Sequence, residues 1–172
     1  RAGTYISGPR RASALRIIGE AHKFAVQCHD GQSRLTGDPF INHPLAVAAL
    51  LTDIRLDEAA LCAALLHDVI EDSTCDLETL TDKFGAEVAD LVDGVTKLTQ
   101  LNLADLEDAE ARTLRKMFVA MARDIRVVLV KLADRLHNVR TARALPDQKR
   151  IRFCQETLDI FAPLAGRLGI WQ

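Results

Sequence analysis

Three short segments place ionisable side chains where the surrounding pattern is apolar. The first is LLHDVIED, in which His67 and Asp68 are adjacent and Glu71 and Asp72 follow one turn later. In a helix His67 aligns with Glu71, and Asp68 with Asp72. Four ionisable groups at the end of an apolar helix are costly to bury unpaired, and a divalent cation would remove that cost. A helix that simply ends at the surface, its acids solvated, accounts for the same letters. The second segment is KLADRLHN, where Asp134 interrupts an apolar stripe and shares a face with Asn138. A salt bridge to Lys131 or Arg135 is the plainer account of Asp134, and His137 is a further candidate ligand ranked behind it. The third is INHP, with His43 ahead of Pro44 where a loop meets a helix. Taken alone, a histidine that packs at the helix start explains it.

Together the segments offer two imidazoles and two carboxylates, His43, His67, Asp68 and Asp134. That set suits Mn²⁺, Fe²⁺, Zn²⁺ or Mg²⁺. The mixed nitrogen and oxygen shell, with no cysteine, favours Mn²⁺ with positions left open to water. A cation held there lowers the pKa of its water and polarises a phosphoryl oxygen. Glu71 and Asp72 are then left over as acid, base or water-positioning groups.

These segments must be positioned by helices. Ser13 is expected to cap a helix to about Cys28, with Leu15, Ile18, Ala21, Phe24 and Ala25 on one face. HDGQSRLTGDPF is polar, carries two Gly and one Pro, and reads as a loop. Pro44 suits the first turn of a helix through Leu51. Asp57 is placed to cap EAALCAALLHDVIED, an almost wholly apolar helix that should be central and buried. Asp76 opens a short helix ending before Gly85, and residues 86–97 form another. Residues 98–109 are acidic and weakly patterned, the best candidate for a mobile loop and for a switch element, and a helix follows over about 110–123. IRVVLVKLADRLHNVR starts with β-branched residues, as a strand would. Its length and the spacing of Ile125, Val128, Leu129, Leu132 and Leu136 favour a helix, and no partner strand is visible. The last helix spans about 148–165. The class is an all-α bundle, with the ionisable cluster between its central helices.

Bulk properties agree. The 172 residues sit near the ~150 residues of one domain. Aromatics make up only 5% of the chain, so the core must be built from Leu, Ala, Val and Ile. The formal net charge is -2, which gives no global basic field to hold nucleic acid. Cys28, Cys62, Cys75 and Cys154 form no C-x-x-C motif, pointing to a reducing, cytoplasmic compartment without disulfides. There is no signal peptide, and no apolar run approaches the ~18 residues of a membrane span. Residues 1–12 read as a loose, flexible leader, and 13–172 as the domain.

The order His43, His67-Asp68, Asp134 is the pattern of the HD phosphohydrolase superfamily. The likeness extends further. GQSRLTGDPFINHP, ALLHDVIED, FGAEVADLVDGVTKL, RKMFVAMARDIRVVLVKLADRLHN and ETLDIFAPLAGRLGIW are similar to the N-terminal hydrolase domain of RelA/SpoT homologues. The resemblance implies an all-α HD fold in which His43, His67, Asp68 and Asp134 hold one Mn²⁺. It implies that Glu71 and Asp72 orient or activate the attacking water. Arg34 would lie against a guanine base, Thr36 would line the same pocket, and Asn138 and Thr141 would contact the nucleoside or its 5′ side. The implied reaction is hydrolysis of the 3′-pyrophosphate of ppGpp or pppGpp, giving GDP or GTP and pyrophosphate. Lys97 is a further candidate for neutralising phosphate, with a solvated lysine as its plainer reading.

The sequence departs from the family at Leu35, where a lysine is usual, and at Phe40, where a tyrosine is frequent. Neither touches the ligand set or Glu71-Asp72, so an active hydrolase is expected. APLAGRLGIW resembles the bridge into a synthetase domain, which implies a longer bifunctional protein. Two other readings are an HD phosphohydrolase of different specificity, such as a NADPH phosphatase, and a regulatory module that binds nucleotide without turnover. The acids Glu71 and Asp72 argue against the module, because a pure binder gains nothing from two acids facing a polyphosphate.

Overall fold

Asp57 and the eight residues after its neighbour Glu58 explain the centre of the molecule. The Asp57 carboxylate accepts a hydrogen bond from the Ala60 amide at 2.9 Å, capping helix α3 (Glu58–Leu66). Every residue from Ala59 to Leu66 is buried. A helix apolar on all sides has no face to give to water and must be surrounded. Helix α1 (Arg11–Cys28), helix α2 (Asn42–Asp53), helix α6 (Ala86–Thr99) and helix α7 (Ile125–Thr141) all pack against it. The computed structural model describes residues 2–8, 11–99, 117 and 119–170.

The remaining elements are helical. Helix α4 (Val69–Asp72) follows α3 after a two-residue turn at His67 and Asp68. Helix α5 (Leu77–Phe84) is capped by Asp76 and stopped by Gly85, whose φ of 85° lies in the left-handed region that glycine tolerates. Helix α8 (Asp147–Glu156) runs through a π turn (Thr157–Phe161) into helix α9 (Ala162–Arg167). Among the described residues there is no strand, only one isolated bridge between Ser33 and Pro39. None of these helices is long and apolar enough to cross a membrane, and all four cysteines are free thiols. Among the described residues the all-α architecture expected from the sequence is the one present.

Several local expectations change. Helix α1 starts at Arg11, so Ser13 lies inside it and caps nothing. Its buried face is Ala14, Ala21 and Ala25, and Leu15 is 39% exposed. Part of the segment read as a loose leader is tied down: Tyr5 donates to the Leu56 carbonyl at 2.6 Å, and Ala2, Tyr5 and Ile6 pack on the core. The helix expected over EAALCAALLHDVIED is broken at His67-Asp68. The IRVVLVKLADRLHNVR segment is helix throughout, capped by Asp124 through the Arg126 amide at 2.9 Å. The final helix is one run interrupted by the π turn. From residue 100 on, the stretch expected to be a mobile loop lies outside the described residues. So do 110–116 and 118 of the helix that follows, of which 117 and 119–123 are helical.

Two features set the position of α7. The Arg126 guanidinium reaches Asp57 at 2.7 Å, Glu87 at 2.8 Å and Asp124 at 2.7 Å, joining the starts of α3, α6 and α7. Below it, α6 and α7 approach so closely at Gly94 that a Cβ there would lie 2.8 Å from Cγ2 of buried Val127. Gly94→Ala gains about 1 kcal/mol of helix propensity but overpacks a stiff β-branched neighbour, which costs about 1–3 kcal/mol. We expect a net loss of stability in urea unfolding. Adding Val127→Ala should remove the overpacking term, so the two substitutions should be non-additive.

Candidate metal centre

Three elements deliver four side chains to one point. His43 lies in the first turn of α2, beside Pro44, and is 2% exposed. His67 and Asp68 form the turn between α3 and α4. Asp134 lies in the third turn of α7 and is buried. The broken helix matters here. Adjacent residues on a regular helix point about 100° apart and do not meet. With the chain turning at Asp68 (φ −94°, ψ −7°), His67 Nε2 and Asp68 Oδ1 come within 3.2 Å. His43 Nε2 lies 3.5 Å from Asp68 Oδ2 and 3.2 Å from Asp134 Oδ1. One donor atom from each of His43, His67 and Asp134 lies within 4.8 Å of the others. Asp68 faces the same two imidazoles with one oxygen for each.

This donor set fits a divalent cation, on evidence independent of the sequence pattern. His67 Nδ1 lies 2.8 Å from the Ala64 carbonyl, which can only accept. The proton is therefore on Nδ1, and Nε2 presents a bare lone pair to the cluster. That Nε2 is buried and has no hydrogen-bond partner, a state that costs free energy unless a cation takes the lone pair. The carboxylates beside it supply the negative charge. Burial by itself would push the Asp134 carboxyl up. The Lys131 ammonium at 2.8 Å and the His43 hydrogen bond outweigh it and hold the group well below the ordinary carboxylate range. The Lys131 salt bridge weighed from sequence is thus real and coexists with the cluster. Arg135, the other partner considered, is turned away: its guanidinium sits between the Phe153 and Phe161 rings at 4.0 and 4.2 Å and donates to Glu156 at 2.7 Å.

Glu71 and Asp72 stand on α4, one turn beyond the cluster, both exposed. Partial burial and the Asp68 carboxylate raise both carboxyls above their ordinary range. Arg34, Thr36, Asn138 and Thr141 all line one cavity of about 340 Å³, with Leu35 and Phe40. Asn138 joins cavity to cluster. Its amide donates to Asp134 Oδ1 at 2.5 Å, and its oxygen accepts from Arg34 Nη2 at 2.5 Å. Thr36 Oγ1 donates to Asp38 at 2.8 Å. Thr141 Oγ1 turns back to its own helix, to the His137 carbonyl at 3.2 Å. Lys97 is elsewhere. It pairs with Asp93 at 2.5 Å and lines a different cavity along α6, so it does not belong with this group.

Three residues bear on the site that sequence reasoning missed or ranked low. His137 Nδ1 meets His43 Nδ1 at 2.7 Å. Burial, and then the nearby His43 and Arg34, lower its pKa to about 4. Gln32 donates to the Asp72 carbonyl at 2.8 Å and lies 2.9 Å from His29 Nδ1, and buried His29 stacks on Phe40 with ring centroids 4.5 Å apart. Both sit in the stretch read as a polar loop, where no spacing rule singles them out.

The HD-domain family profile matches residues 21–171, and the chain belongs to that family. Within it the chain is similar to proteins of the RelA/SpoT kind. It is 49% identical to the bifunctional (p)ppGpp synthase/hydrolase SpoT of Escherichia coli K12, over 91% of this chain and 22% of that protein. It is 52% identical to a probable guanosine-3′,5′-bis(diphosphate) 3′-pyrophosphohydrolase of Synechocystis, over 91% of this chain and 20% of that one. It is 49% identical to a GTP pyrophosphokinase rsh of Brucella ovis, over 90% and 20%. The chain thus spans about one fifth of the length of the curated relatives it matches. Among solved structures, one described as a metazoan ortholog of SpoT that hydrolyses ppGpp matches with a TM-score of 0.67. It is 24% identical and covers 90% of this chain and 96% of its own. That likeness supports the fold.

Proposed function

We propose that this domain hydrolyses the 3′-pyrophosphate of ppGpp or pppGpp, giving GDP or GTP and pyrophosphate, with Mn²⁺ held by His43, His67, Asp68 and Asp134. The observation that carries the reading is the buried Nε2 of His67, without a hydrogen-bond partner, facing the Asp68 and Asp134 carboxylates, in a cluster joined through Asn138 to a cavity bearing Arg34. The names of relatives about half identical to this chain support the substrate. A bound divalent cation supplies Lewis-acid activation of water and polarises a phosphoryl oxygen.

The chain's own residues do the rest. Arg34 presents its cation beside Phe40, 5.7 Å from the ring centroid, so the two together give the cavity a wall that offers a nucleotide both a charge and an apolar surface. Thr36, Asn138 and Thr141 border the same space and offer hydrogen bonds to sugar or base. Glu71 and Asp72 orient the attacking water and take its proton, and their raised pKa values make them better proton acceptors than free carboxylates. Water adds to the phosphorus on the 3′ oxygen, the bond to that oxygen breaks, and the oxygen leaves with a proton. A synthetase domain in the full-length protein agrees with relatives of which this chain spans about a fifth.

The test is pyrophosphate release from ppGpp by the purified domain, with Mn²⁺ and with EDTA. Mn²⁺-dependent release yielding GDP is expected. Folded, metal-loaded protein that leaves ppGpp intact but releases phosphate from NADPH would overturn the substrate. Leu35 gives a finer prediction. It is 74% exposed at the rim of the cavity, where the family usually has a cation. Leu35→Lys should lower KM for ppGpp a few-fold, roughly the ~0.2–1 kcal/mol of an exposed charge contact. The gain should shrink as salt is added, with kcat little changed.

A further inference from the structure

The two histidines of the centre are held in different ways, and the difference points to His137. The His67 ring is fixed by a backbone carbonyl that can only accept. Nδ1 of the His43 ring instead faces another imidazole, Nδ1 of His137, at 2.7 Å. Two bare nitrogens at that distance repel, and two N–H groups clash, so one proton lies between them. Which ring owns it decides what His43 offers the cluster. With the proton on His137, a neutral His43 carries its own proton on Nε2 and donates it to Asp134, 3.2 Å away. With the proton on His43 Nδ1, Nε2 is bare and able to bind a cation.

We propose that His137 is a positioning residue. When a cation takes the place of the His43 Nε2–H···Asp134 bond, His137 accepts the His43 Nδ1 proton with its own bare Nδ1 and holds His43 in the cation-binding tautomer. The inference rests on the reading of His43 as a ligand. His137 reaches His43 from α7, which also carries Asp134, so one helix supplies a carboxylate and orients the imidazole opposite it. The rings are tilted by 49° with centroids 4.8 Å apart, so the contact is an edge-on hydrogen bond and not a stack. Outer partners of this kind typically change metal affinity by about 10–100-fold when removed.

The measurement is the Mn²⁺ dissociation constant by calorimetry, on the intact domain and three variants, with metal-free thermal unfolding as the control for folding. His137→Ala should bind Mn²⁺ about 10–100-fold more weakly. His137→Asn places an amide oxygen where Nδ1 was and should recover most of that affinity. Parent-like affinity in His137→Ala would overturn the inference. So would His137→Asn binding as weakly as His137→Ala, since an acceptor restored at the Nδ1 position would then do nothing for His43. His43→Ala separates the two readings. If it keeps parent-like affinity, the ligand assignment is wrong. If it loses Mn²⁺ while His137→Ala does not, only the role of His137 is wrong.

Discussion

Asp134→Asn should lower Mn²⁺-dependent pyrophosphate release by about 10³-fold or more, a loss within the range expected when metal-assisted chemistry is removed. The substitution keeps the shape of the side chain and deletes one charge. That charge stands 3.2 Å from His43 Nε2 and 4.0 Å from His67 Nε2, where a neutral amide oxygen attracts a divalent cation less than a carboxylate does. Mn²⁺ should no longer remain with the protein through gel filtration. The same substitution affects the metal-free fold. The Asp134 carboxyl is held well below its ordinary range, chiefly by Lys131 and His43 against the cost of burial. A carboxyl depressed in the folded state stabilises it at pH above its unfolded value, about 3.9, and that contribution fades as the pH falls further. Urea unfolding in EDTA should show the parent more stable than Asp134→Asn at pH 7, with the gap closing below about pH 4. Full activity in Asp134→Asn would remove Asp134 from the centre.

Why the centre was legible, and where legibility stopped, follows from what each residue must satisfy. Asp57, Asp76 and Gly85 announce helix ends through local chemistry that needs no tertiary context. The all-round apolar α3 forces itself to the middle. Asp134 stood out because a carboxylate in an apolar stripe needs partners. Lys131 and the His43 imidazole both partner it, and only the fold shows that the salt bridge and the cluster are compatible. The turn at His67-Asp68 was not legible. Both residues and their neighbours are acceptable in a continuous helix, and tertiary packing alone decides that the helix breaks there. Ser13 misled because a good cap residue is only a local preference, and α1 had room to start earlier. His137 ranks behind Asp134 because nothing local in the sequence distinguishes a histidine three residues on. Its role depends on His43, 94 residues away in sequence. Lys97 is the opposite case: a lysine in a family-like motif whose plainer reading, a lysine away from the cluster, agrees with its pairing to Asp93 by another cavity.

Glu71→Gln should lower kcat by about 10²–10⁴-fold, the usual worth of a positioned acid or base, while leaving Mn²⁺ bound. Glu71 lies on α4 beyond the His67-Asp68 turn, and the contacts that join His43, His67, Asp68 and Asp134 do not run through it. Its carboxyl is raised by burial and by Asp68, with Lys131 and His67 pulling the other way. It therefore takes a proton more readily than a free glutamate. Gln keeps the size and the hydrogen-bonding reach but cannot take a proton. Asp72→Asn should behave differently. Asp72 feels both Arg34 and His29, and its backbone carbonyl accepts from Gln32 of the loop that carries Arg34. Its loss should raise KM as well as lower kcat, because the acid helps set the electrostatics of the nucleotide side. Steady-state kinetics on ppGpp with a parallel Mn²⁺ titration separates the cases. If Glu71→Gln fails to bind Mn²⁺, Glu71 belongs to the ligand set and its role as a proton acceptor is wrong. If both variants bind metal and turn over at the parent rate, the proton goes elsewhere, and the acids on α4 serve only to end a helix in solvent.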